Sequence, residues 1–454
     1  MTAVLDRLRA ALGDRVDISA ASVEGARADR SGHRSHGAPL AVVRAASVDD
    51  VQAVMRIATE ARTPVVPQGA RTGLAGGANA GPGEIALSLR EMTRILEVRP
   101  DDLLAVVEPG ILNADLNAAL AAHGVWWAPD PASRDISTVG GNIATGAGGL
   151  LCAKYGVVRD AVLGVDVVLA DGRLLRLGHR SVKGVTGLDL TSLFIGSEGT
   201  LGVVVGATLK LRRLVAGEVL TIAAMFADVR AAAAGSAAVT AAGIQPAIME
   251  LMDAACLGAA HAHLGLEPPP AGHALLTVQT DGPAADAEAE QVAGVLRGLG
   301  AAVTVSHDPV ESERLLAVRR AMHPAMQRFL GTTLIEDVSV PRSMLPAMFD
   351  EIARVEREHG VVIPTVAHAG DGNLHPNFVY SGDEVPDVIW RAADDLFRAA
   401  LRLGGTLTGE HGIGVLKRRW LADELGDDQW ELQRQVKAVF DPLGIMNPGK
   451  VFAP

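Results

Sequence analysis

Residues 130–149 read DPASRDISTVGGNIATGAGG, and the fold prediction for the first half of the chain depends on this stretch. It combines glycine and alanine with hydroxyl and amide side chains and has few large side chains. Small side chains leave the backbone accessible, so a flat or extended ligand could lie along the stretch. We therefore expect residues 130–149 to form a ligand-binding surface.

Two further glycine-rich stretches accompany it. Residues 68–77 read QGARTGLAGG and follow a β-α-β pattern over residues 40–67. Such a loop exposes backbone N–H groups to a phosphate, although taken alone it could also be a flexible surface connection. Because a strand pattern follows at 85–89, this is not the G-x-G-x-x-G turn that opens a helix. Residues 195–203, IGSEGTLGV, lead into another predicted strand.

A pair of histidines in residues 368–376, HAGDGNLHP, indicates a metal site. On a helix His368 and His375 would be about 10.5 Å apart along the axis, too far to share one ion. Along a strand they could face one point only if the chain turns between them, which the intervening glycines allow. The alternative is an ordinary tight turn, in which the same polar residues are common.

Residues 409–412, GEHG, supply the remaining groups of this hypothesis. Glu410 would add a carboxylate oxygen to two imidazole nitrogens, a ligand set that leaves one position open, as catalytic metal sites do. His411 would then lie beside the metal as a base.

Composition limits the classes of function. The 454 residues favour two domains, and the net charge of −12 argues against nucleic acid as a partner. Two cysteines, Cys152 and Cys256, are too few for a disulfide framework and favour a reducing compartment. We expect no secretion leader and no membrane span, and hence a cytoplasmic protein that is at most peripheral to a membrane.

Strand and helix patterns alternate from residue 217 onward. They predict an antiparallel sheet covered by helices on one face, with a loop at 259–272 and one helix over 310–330. Two helices, 415–422 and 427–440, are predicted after it. The resulting domains are 1–215, which contains the three glycine-rich stretches, 216–414, which contains the antiparallel sheet, and 415–454, a tail that returns to the first domain.

With these motifs the chain resembles the FAD-linked oxidases of the vanillyl-alcohol oxidase fold. The motifs at 368–376 and 409–414, together with NPGKV at 447–451, are similar to the branch of D-lactate dehydrogenases, the glycolate oxidase flavin subunit and D-2-hydroxyglutarate dehydrogenases. The resemblance implies an α+β fold, in which a two-part FAD-binding domain carries an inserted cap domain of antiparallel sheet and helices.

The resemblance also implies cofactor-binding residues in all three glycine-rich stretches and in the tail. These are Pro67, Gly69, Ala70, Arg71, Thr72, Gly73, Leu74, Pro131, Ser133, Thr138, Gly140, Gly141, Asn142, Ala144, Thr145, Gly148, Gly149, Glu198, Gly199, Gly202, Val203 and Asn447. Many relatives bind flavin covalently through a histidine in or near the loop that corresponds to residues 68–77. Residues 71–75 of this loop contain no histidine. We therefore expect noncovalent FAD.

For the reaction, the resemblance implies a D-2-hydroxy acid substrate. His368, His375 and Glu410 match the divalent metal ligands, with Zn²⁺ favoured and Mn²⁺ or Fe²⁺ also compatible. His411 is the expected catalytic base and also contacts substrate. The other expected substrate-binding residues are Arg319, which suits a carboxylate, Asn377 and His323.

The identity of the acid depends on a weaker comparison. Relatives that act on 2-hydroxyglutarate have a lysine two positions before an Asp-x-Ser-x-Pro stretch, whereas Ile335 and Glu336 precede Asp337 here. Neither can pair with a second carboxylate, which favours D-lactate or glycolate, although Lys417 or Arg342 could substitute.

Three alternatives remain open at this stage. The chain could be a D-2-hydroxyglutarate dehydrogenase, the flavin subunit of a multi-subunit glycolate oxidase, or a member of the fold without redox turnover, either a nonredox enzyme or a binding module. The electron acceptor could be a quinone, a cytochrome, an electron-transfer flavoprotein or oxygen. A homodimer is the default expectation for the assembly.

Overall fold

The computed structural model describes residues 2–382 and 384–452, without the side chains of Thr2, His323 and Gln327. The helices are α1 (Thr2–Leu12), α2 (Ala20–Gly25), α3 (Val48–Ala61), α4 (Asn113–Ala121), α5 (Val139–Thr145), α6 (Cys152–Tyr155), α7 (Thr191–Phe194), α8 (Val229–Ala241), α9 (Ala254–Leu264), α10 (Ala285–Gly298), α11 (Pro309–Arg320), α12 (Met322–Phe329), α13 (Leu345–His359), α14 (Asp387–Arg402) and α15 (Leu421–Phe440). The strands are β1 (Val16–Asp17), β2 (Ala41–Arg44), β3 (Val65–Gln68), β4 (Ile85–Ser88), β5 (Ile95–Arg99), β6 (Leu104–Val107), β7 (Val125–Trp126), β8 (Val162–Val168), β9 (Leu174–Gly178), β10 (Val203–Lys210), β11 (Arg212–Arg213), β12 (Glu218–Phe226), β13 (Ile248–Met252), β14 (Ala274–Gly282), β15 (Ala302–Ser306), β16 (Thr332–Ile335), β17 (Val338–Ser339), β18 (Thr365–His368) and β19 (Asn373–Tyr380).

Contacts divide the chain into two compact units. The first consists of Met1–Gly148, Gly156–Leu214 and Glu410–Pro454, and the second consists of Gly149–Tyr155 and Val215–Gly409. Each is described separately below. None of the described helices combines the length and apolar character that a membrane crossing requires.

The first sheet of the first unit has the order β1-β2-β4-β3, with parallel pairing among β2, β4 and β3. The predicted β-α-β unit is present as β2, α3 and β3. Ser47 caps α3 through a reciprocal capping box with Asp50, which explains why the helix begins at Val48. The tail returns to this sheet, since the N–H of Asn447 donates to the carbonyl of Val65 at 2.8 Å.

The second sheet of this unit is antiparallel, with the order β5-β6-β10-β8-β9. Its strands bury side chains on both faces. Val203 and Val205 pack in a core with α3 and the first sheet, whereas Val204 packs in a second core with α4 and α5. This alternation along β10 is the two-residue period of a strand covered on both sides.

The second unit is built on one antiparallel sheet with the order β15-β12-β14-β13-β18-β19-β16, in which β17 also pairs with β19. Met252 and Leu275 pack on one face with Cys256 of α9 and Val318 of α11. On the opposite face, Gly235 of α8 lies against the ring of Phe226. The antiparallel sheet is confirmed, but the expectation that helices cover only one face is wrong.

Three local predictions are also wrong. The predicted loop at 259–272 contains the second half of α9, which Asp253 caps by accepting from the N–H of Cys256. The predicted helix over 310–330 is two helices that meet at Ala321. The predicted helix 415–422 contains a short 3-10 turn, Arg418–Trp420, and only the first two residues of α15, which has a kink at Gly426.

Candidate active site

A cleft in the first unit gathers the three glycine-rich stretches. Most predicted cofactor-binding residues line it: Pro67, Gly69, Ala70, Arg71, Thr72, Gly73, Leu74, Pro131, Ser133, Thr138, Gly140, Gly141, Asn142, Ala144, Thr145, Gly148, Glu198, Gly199 and Gly202. Gly149, Val203 and Asn447 do not. Gly149 belongs to the second unit, and Val203 is buried in β10. Their roles remain predictions.

The loop at residues 68–77, called the first loop below, presents backbone groups to the cleft rather than side chains. Among the described residues, the N–H groups of residues 69–74 donate no hydrogen bond. Arg71 has a left-handed backbone (φ 57°), which is uncommon outside glycine and is typical of functional turns. Burial lowers the pKa of the Arg71 guanidinium, and the charge of Arg90 adds to this effect. Unpaired amides beside a cation suit a pyrophosphate.

Close approaches of other atoms to the backbone explain why glycines are needed at Gly140, in residues 130–149, and at Gly69, in residues 68–77. A Cβ atom on Gly140 would lie 2.4 Å from Cβ of Pro109, and one on Gly69 would lie 2.4 Å from Oγ1 of Thr138. Thr138 also caps α5 by accepting from the N–H of Gly141. Residues 139–145 are thus a short helix within the stretch that the sequence had indicated as a continuous surface.

Glu198 connects the glycine-rich stretch 195–203 to the segment Glu410–Pro454 of the same unit. Its carboxylate accepts from the N–H groups of Ile413 at 2.7 Å and Gly414 at 2.9 Å. Burial raises the pKa of Glu198 to about 7, although these two hydrogen bonds oppose the rise. Asn447 adds a second tie, since its Nδ2 donates to the carbonyls of Gly77 and Glu198.

Glu410 and His411 line the same cleft. Their side chains lie 3.6 Å apart, from Nε2 of His411 to Oε1 of Glu410. A Cβ atom on Gly148 would lie 2.4 Å from Oε2 of Glu410, so a glycine is needed there for the carboxylate to keep its position. Two residues predicted for chemistry therefore lie beside the expected cofactor.

Other cleft residues were not among the predicted cofactor contacts, although five of them lie within the stretches 68–77 and 130–149. They are Asp29, Gln68, Ala75, Gly77, Ala78, Leu89, Pro109, Ala132, Ala147 and Val204. Asp29 is the most informative, because it accepts from the N–H of Gly76 at 2.9 Å and shapes the first loop from a distant polar segment. Burial raises its pKa. No motif marks it.

The cleft residues fit FAD. The loop with unpaired N–H groups could accept the pyrophosphate, and Nδ2 of Asn142 is buried without a hydrogen-bond partner among the described residues. A buried amide donor without a partner is costly and is typical of a site that binds a polar ligand.

The second unit brings the two predicted histidines together. Strand β18 ends at His368, Gly372 (φ 90°) turns the chain, and β19 begins at Asn373 directly opposite His368. His375, two residues further along β19, therefore faces the same side of the sheet. The ring centroids are 5.0 Å apart, and the side chains are 6% and 7% exposed. The turn predicted between them is present.

A buried carboxylate lies behind each histidine. Glu250 is opposite His368 on β13 and lies 2.7 Å from its Nδ1. Asp337 lies 3.8 Å from Nδ1 of His375, at ion-pair distance, and accepts from Asn373 and Thr408. Metal-binding imidazoles ordinarily have a carboxylate at their second nitrogen, so this pair fits a divalent cation bound through Nε2.

Glu250 also holds the predicted substrate arginine. Nε of Arg319, on α11, donates to Oε2 of Glu250 at 2.8 Å. Burial alone would raise the pKa of Glu250, but the charges of His368 and Arg319 hold it below its ordinary value. Among the described residues, neither Nη atom of Arg319 has a hydrogen-bond partner. These two groups remain available to an anion.

Two further residues, Asn377 and His323, were predicted to contact substrate, and Ile335 and Glu336 were used to predict its size. Asn377 is buried on β19 with Nδ2 bonded to the carbonyls of Pro364 and His375. His323 belongs to α12, and its side chain lies outside the described residues. Ile335 pairs with Asn377 across β16 and β19, and Glu336 is 1% exposed.

The cleft of the first unit suits a dinucleotide cofactor, and the buried imidazoles, carboxylates and guanidinium of the second unit suit an enzyme that acts on a small anion. The chain belongs to the FAD-linked oxidases, since residues 217–451 match the family model described as "FAD linked oxidases, C-terminal domain". Residues 39–178 match "FAD binding domain". The predictions of family, of FAD and of an FAD-dependent enzyme are confirmed.

Relatives and solved structures agree with this assignment. The chain is 38% identical over 422 residues to the glycolate oxidase subunit GlcD of Bacillus subtilis, covering 91% of this chain and 89% of that protein. It is 34% identical to the D-lactate dehydrogenase of Archaeoglobus fulgidus, with 90% of each covered. The 4-ethylphenol oxidase of Gulosibacter chungangensis aligns with a TM-score of 0.78 at 20% identity, over 99% of this chain and 96% of that chain. The predicted fold class is confirmed.

Proposed function

We propose that this protein is an FAD-dependent dehydrogenase of a D-2-hydroxy acid, with D-lactate or glycolate as the favoured substrate. The main support is Arg319, a guanidinium with a side chain 14% exposed and fixed through Nε, whose Nη groups have no hydrogen-bond partner among the described residues. An arginine in this state suits a small carboxylate, because two N–H groups on one planar edge can bind both oxygens.

In this proposal each residue has a distinct task. Arg319 anchors the substrate carboxylate, and Asn377 and His323 contribute further substrate contacts. His411 removes the proton of the substrate hydroxyl group. FAD, when bound in the cleft of the first unit, supplies the acceptor for the hydrogen on the substrate α-carbon.

We further propose that His368, His375 and Glu410 hold a divalent cation. The support is the chemistry of these groups. In the second unit, each of the two imidazoles has a carboxylate behind it. In the first unit, Glu410 supplies a carboxylate at the start of the segment Glu410–Pro454. Zn²⁺ suits two nitrogens and one oxygen, and Mn²⁺ or Fe²⁺ would also fit. Such a cation would lower the pKa of the hydroxyl group that His411 deprotonates.

A monocarboxylate is favoured over 2-hydroxyglutarate. Ile335 lies opposite Asn377 on the sheet face that carries the histidines, and the buried Glu336 follows it. An apolar side chain next to a buried acid would not stabilise a second carboxylate. The relatives named as glycolate oxidase subunit and D-lactate dehydrogenase agree with this preference.

The electron acceptor is proposed to be a separate molecule. The name of the Bacillus subtilis relative describes it as a subunit, so a partner protein is a reasonable acceptor. An iron–sulfur cluster would have to belong to that partner, because the sequence has two cysteines and a cluster ordinarily needs four. Copurification with a cysteine-rich partner would test this.

The substrate is tested by anaerobic addition of D-lactate, L-lactate, glycolate and D-2-hydroxyglutarate to the purified yellow protein. We expect D-lactate or glycolate to bleach the flavin absorbance, with L-lactate much slower. Fastest bleaching by D-2-hydroxyglutarate would replace the favoured substrate by the alternative. Absence of bleaching by all four acids would contradict the function and favour a nonredox role.

We also propose that FAD is bound noncovalently, because residues 69–75 of the first loop include no histidine. Acid precipitation should leave the yellow chromophore in the supernatant. A yellow pellet would contradict this and direct attention to His411, which lines the cleft.

A further inference from the structure

We propose that Glu250 is a positioning residue that fixes the metal ligand His368 and the substrate-binding Arg319 at the same time. This inference depends on the proposed function, because it assigns a shared support to two of its groups. Glu250 belongs to no motif, and nothing in the sequence around it, IMELM, distinguishes it from an ordinary strand.

The geometry gives each carboxylate oxygen one task. Oε1 lies 2.7 Å from Nδ1 of His368, and Oε2 accepts from Nε of Arg319 at 2.8 Å. The residue is 1% exposed, so water cannot replace either bond easily. One rigid group therefore sets the positions of an imidazole and a guanidinium that come from different elements, β18 and α11.

The bond to His368 also selects the tautomer of the imidazole. An ionised carboxylate can only accept hydrogen bonds, so Nδ1 must carry the hydrogen. The lone pair of the ring then lies on Nε2, where a metal would bind. Glu250 thus prepares His368 as a ligand without contacting the metal.

The bond to Arg319 orients the other edge of the guanidinium. With Nε occupied by Glu250, the anion must bind through the two Nη groups. A fixed guanidinium plane lowers the entropic cost of binding a carboxylate. The same carboxylate offsets the positive charge of Arg319 in a buried setting when no substrate is bound.

Replacement of Glu250 by glutamine separates these tasks, because an amide has one acceptor and one donor end. If its oxygen faces Arg319, its NH₂ group faces Nδ1 and forces the hydrogen of His368 onto Nε2. If its oxygen faces His368, two donors meet at Nε of Arg319. Either orientation damages one of the two groups.

The experiment compares wild-type holoenzyme with E250Q and E250D. Zn²⁺ affinity is measured by competition with a chromophoric chelator, and KM and kcat are measured separately with D-lactate and a dye acceptor. We expect E250Q to bind Zn²⁺ about 10- to 100-fold more weakly, as for other groups behind a metal ligand, and to raise KM for D-lactate. E250D keeps the charge but is one methylene shorter, so it should lose one contact and show a smaller change in the same direction.

Asp253→Asn is the matched control. Asp253 is also an acid, partly buried and directly after β13, and its carboxylate accepts from the backbone N–H groups of Cys256 and Thr365. We expect D253N to alter stability while Zn²⁺ affinity and KM stay at their wild-type values. E250D remains informative if E250Q does not fold, because it preserves the buried charge.

The outcomes separate the inference from the function on which it depends. Wild-type Zn²⁺ affinity and KM in both E250Q and E250D, with turnover of D-lactate intact, would overturn the role of Glu250 alone. A wild-type protein that oxidises D-lactate but binds no divalent metal would overturn the metal half of both proposals. A wild-type protein that neither binds metal nor oxidises any 2-hydroxy acid would overturn both entirely.

Discussion

The cleft of the first unit and the polar sheet face of the second unit have opposite kinds of chemistry. The cleft is lined mainly by glycine, alanine and backbone amides, and its charged side chains are few. The sheet face carries Glu250, His368, His375 and Asn377, all buried and all engaged with neighbours. The first region presents mainly main-chain groups, whereas the second presents polar side chains.

This difference predicts how each region responds to mutation. A site made of backbone groups depends on close approach, so added side-chain volume should damage it most. A site made of buried ions depends on charge balance, so removal of one partner should damage it most, because the other charge is left without compensation. The predictions below test these two sensitivities.

The largest effect is expected from Arg319→Met in the second unit. It removes the proposed substrate anchor and takes one partner from Glu250, and breaking a buried pair typically costs about 3–5 kcal/mol. We expect kcat/KM for D-lactate to fall by at least about 100-fold, mostly through KM. FAD content should stay at the wild-type level.

Arg320→Met is the matched control for that prediction. Arg320 is the adjacent helix residue, with a side chain 54% exposed that forms an ion pair with the exposed Glu313. Steady-state kinetics of both variants would be decisive. Equal losses in the two variants would show that α11 tolerates no change, and wild-type kinetics in R319M would remove Arg319 from substrate binding.

An intermediate effect is expected from Glu198→Gln in the first unit. The quantity measured is how the free energy of unfolding changes with pH. The pKa of Glu198 is raised from 4.5 to about 7 in the folded protein. The folded state therefore binds this proton more tightly than the unfolded chain. The stability that results is fully present below pH 4.5 and is lost as the pH rises through 7.

At about 1.4 kcal/mol per pKa unit, this one group should lower the free energy of unfolding by about 3 kcal/mol between pH 4.5 and pH 8. Unfolding midpoints of wild type and E198Q across this range would show it, since the slope should be smaller in the variant. D253N is a useful comparison, because burial raises the pKa of Asp253 to about 6 and its effect should end at lower pH. Parallel pH profiles for wild type and E198Q would contradict the assignment.

A smaller effect is expected from Gly140→Ala. Its Cβ would approach Cβ of Pro109 to 2.4 Å, so the backbone must shift at a cost of about 1–3 kcal/mol. We expect FAD affinity to fall by about 10-fold, measured by flavin fluorescence on titration of the apoprotein. Gly25→Ala, with its nearest neighbour at 3.8 Å, should bind FAD normally. Normal FAD binding by G140A would show that the cleft tolerates added volume.

The sequence predicted the cleft well because its parts are contiguous. Three stretches, 68–77, 130–149 and 195–203, are each readable as glycine-rich segments, and the structure places most of their residues in one cleft. It did not indicate the α5 helix within the second stretch, since glycines at 140 and 141 oppose helix formation there. The Thr138 cap offsets this locally.

On the sheet face of the second unit, the sequence predicted only the contact between residues that are close in sequence and joined by a turn. His368 and His375 share one motif, and the glycines between them signal the turn that brings them together. Glu250 is 118 residues upstream of His368 in sequence and meets it only through the register of β13 and β18. Strand register over such separations depends on the packing of the whole sheet, which local patterns do not encode.

The helix α9 shows a second reason for failure. Its segment is rich in alanine and precedes three consecutive prolines, and the prolines dominated the prediction of a loop. The helix forms because Asp253 caps it and because Cys256 and Leu257 pack under it. Tertiary packing therefore decided what local propensity left undetermined.

The central claim is that side chains of the second unit and Glu410 hold a divalent cation that is required for oxidation of the substrate. It is tested most directly by anaerobic titration of the holoenzyme with D-lactate before chelation, after chelation, and after addition of Zn²⁺ or Mn²⁺. We predict that flavin bleaching is lost on chelation and restored by the metal in wild type, and that H375A does not recover. Bleaching at the same rate in the chelated protein would contradict the account and return His368 and His375 to a structural or substrate-binding role.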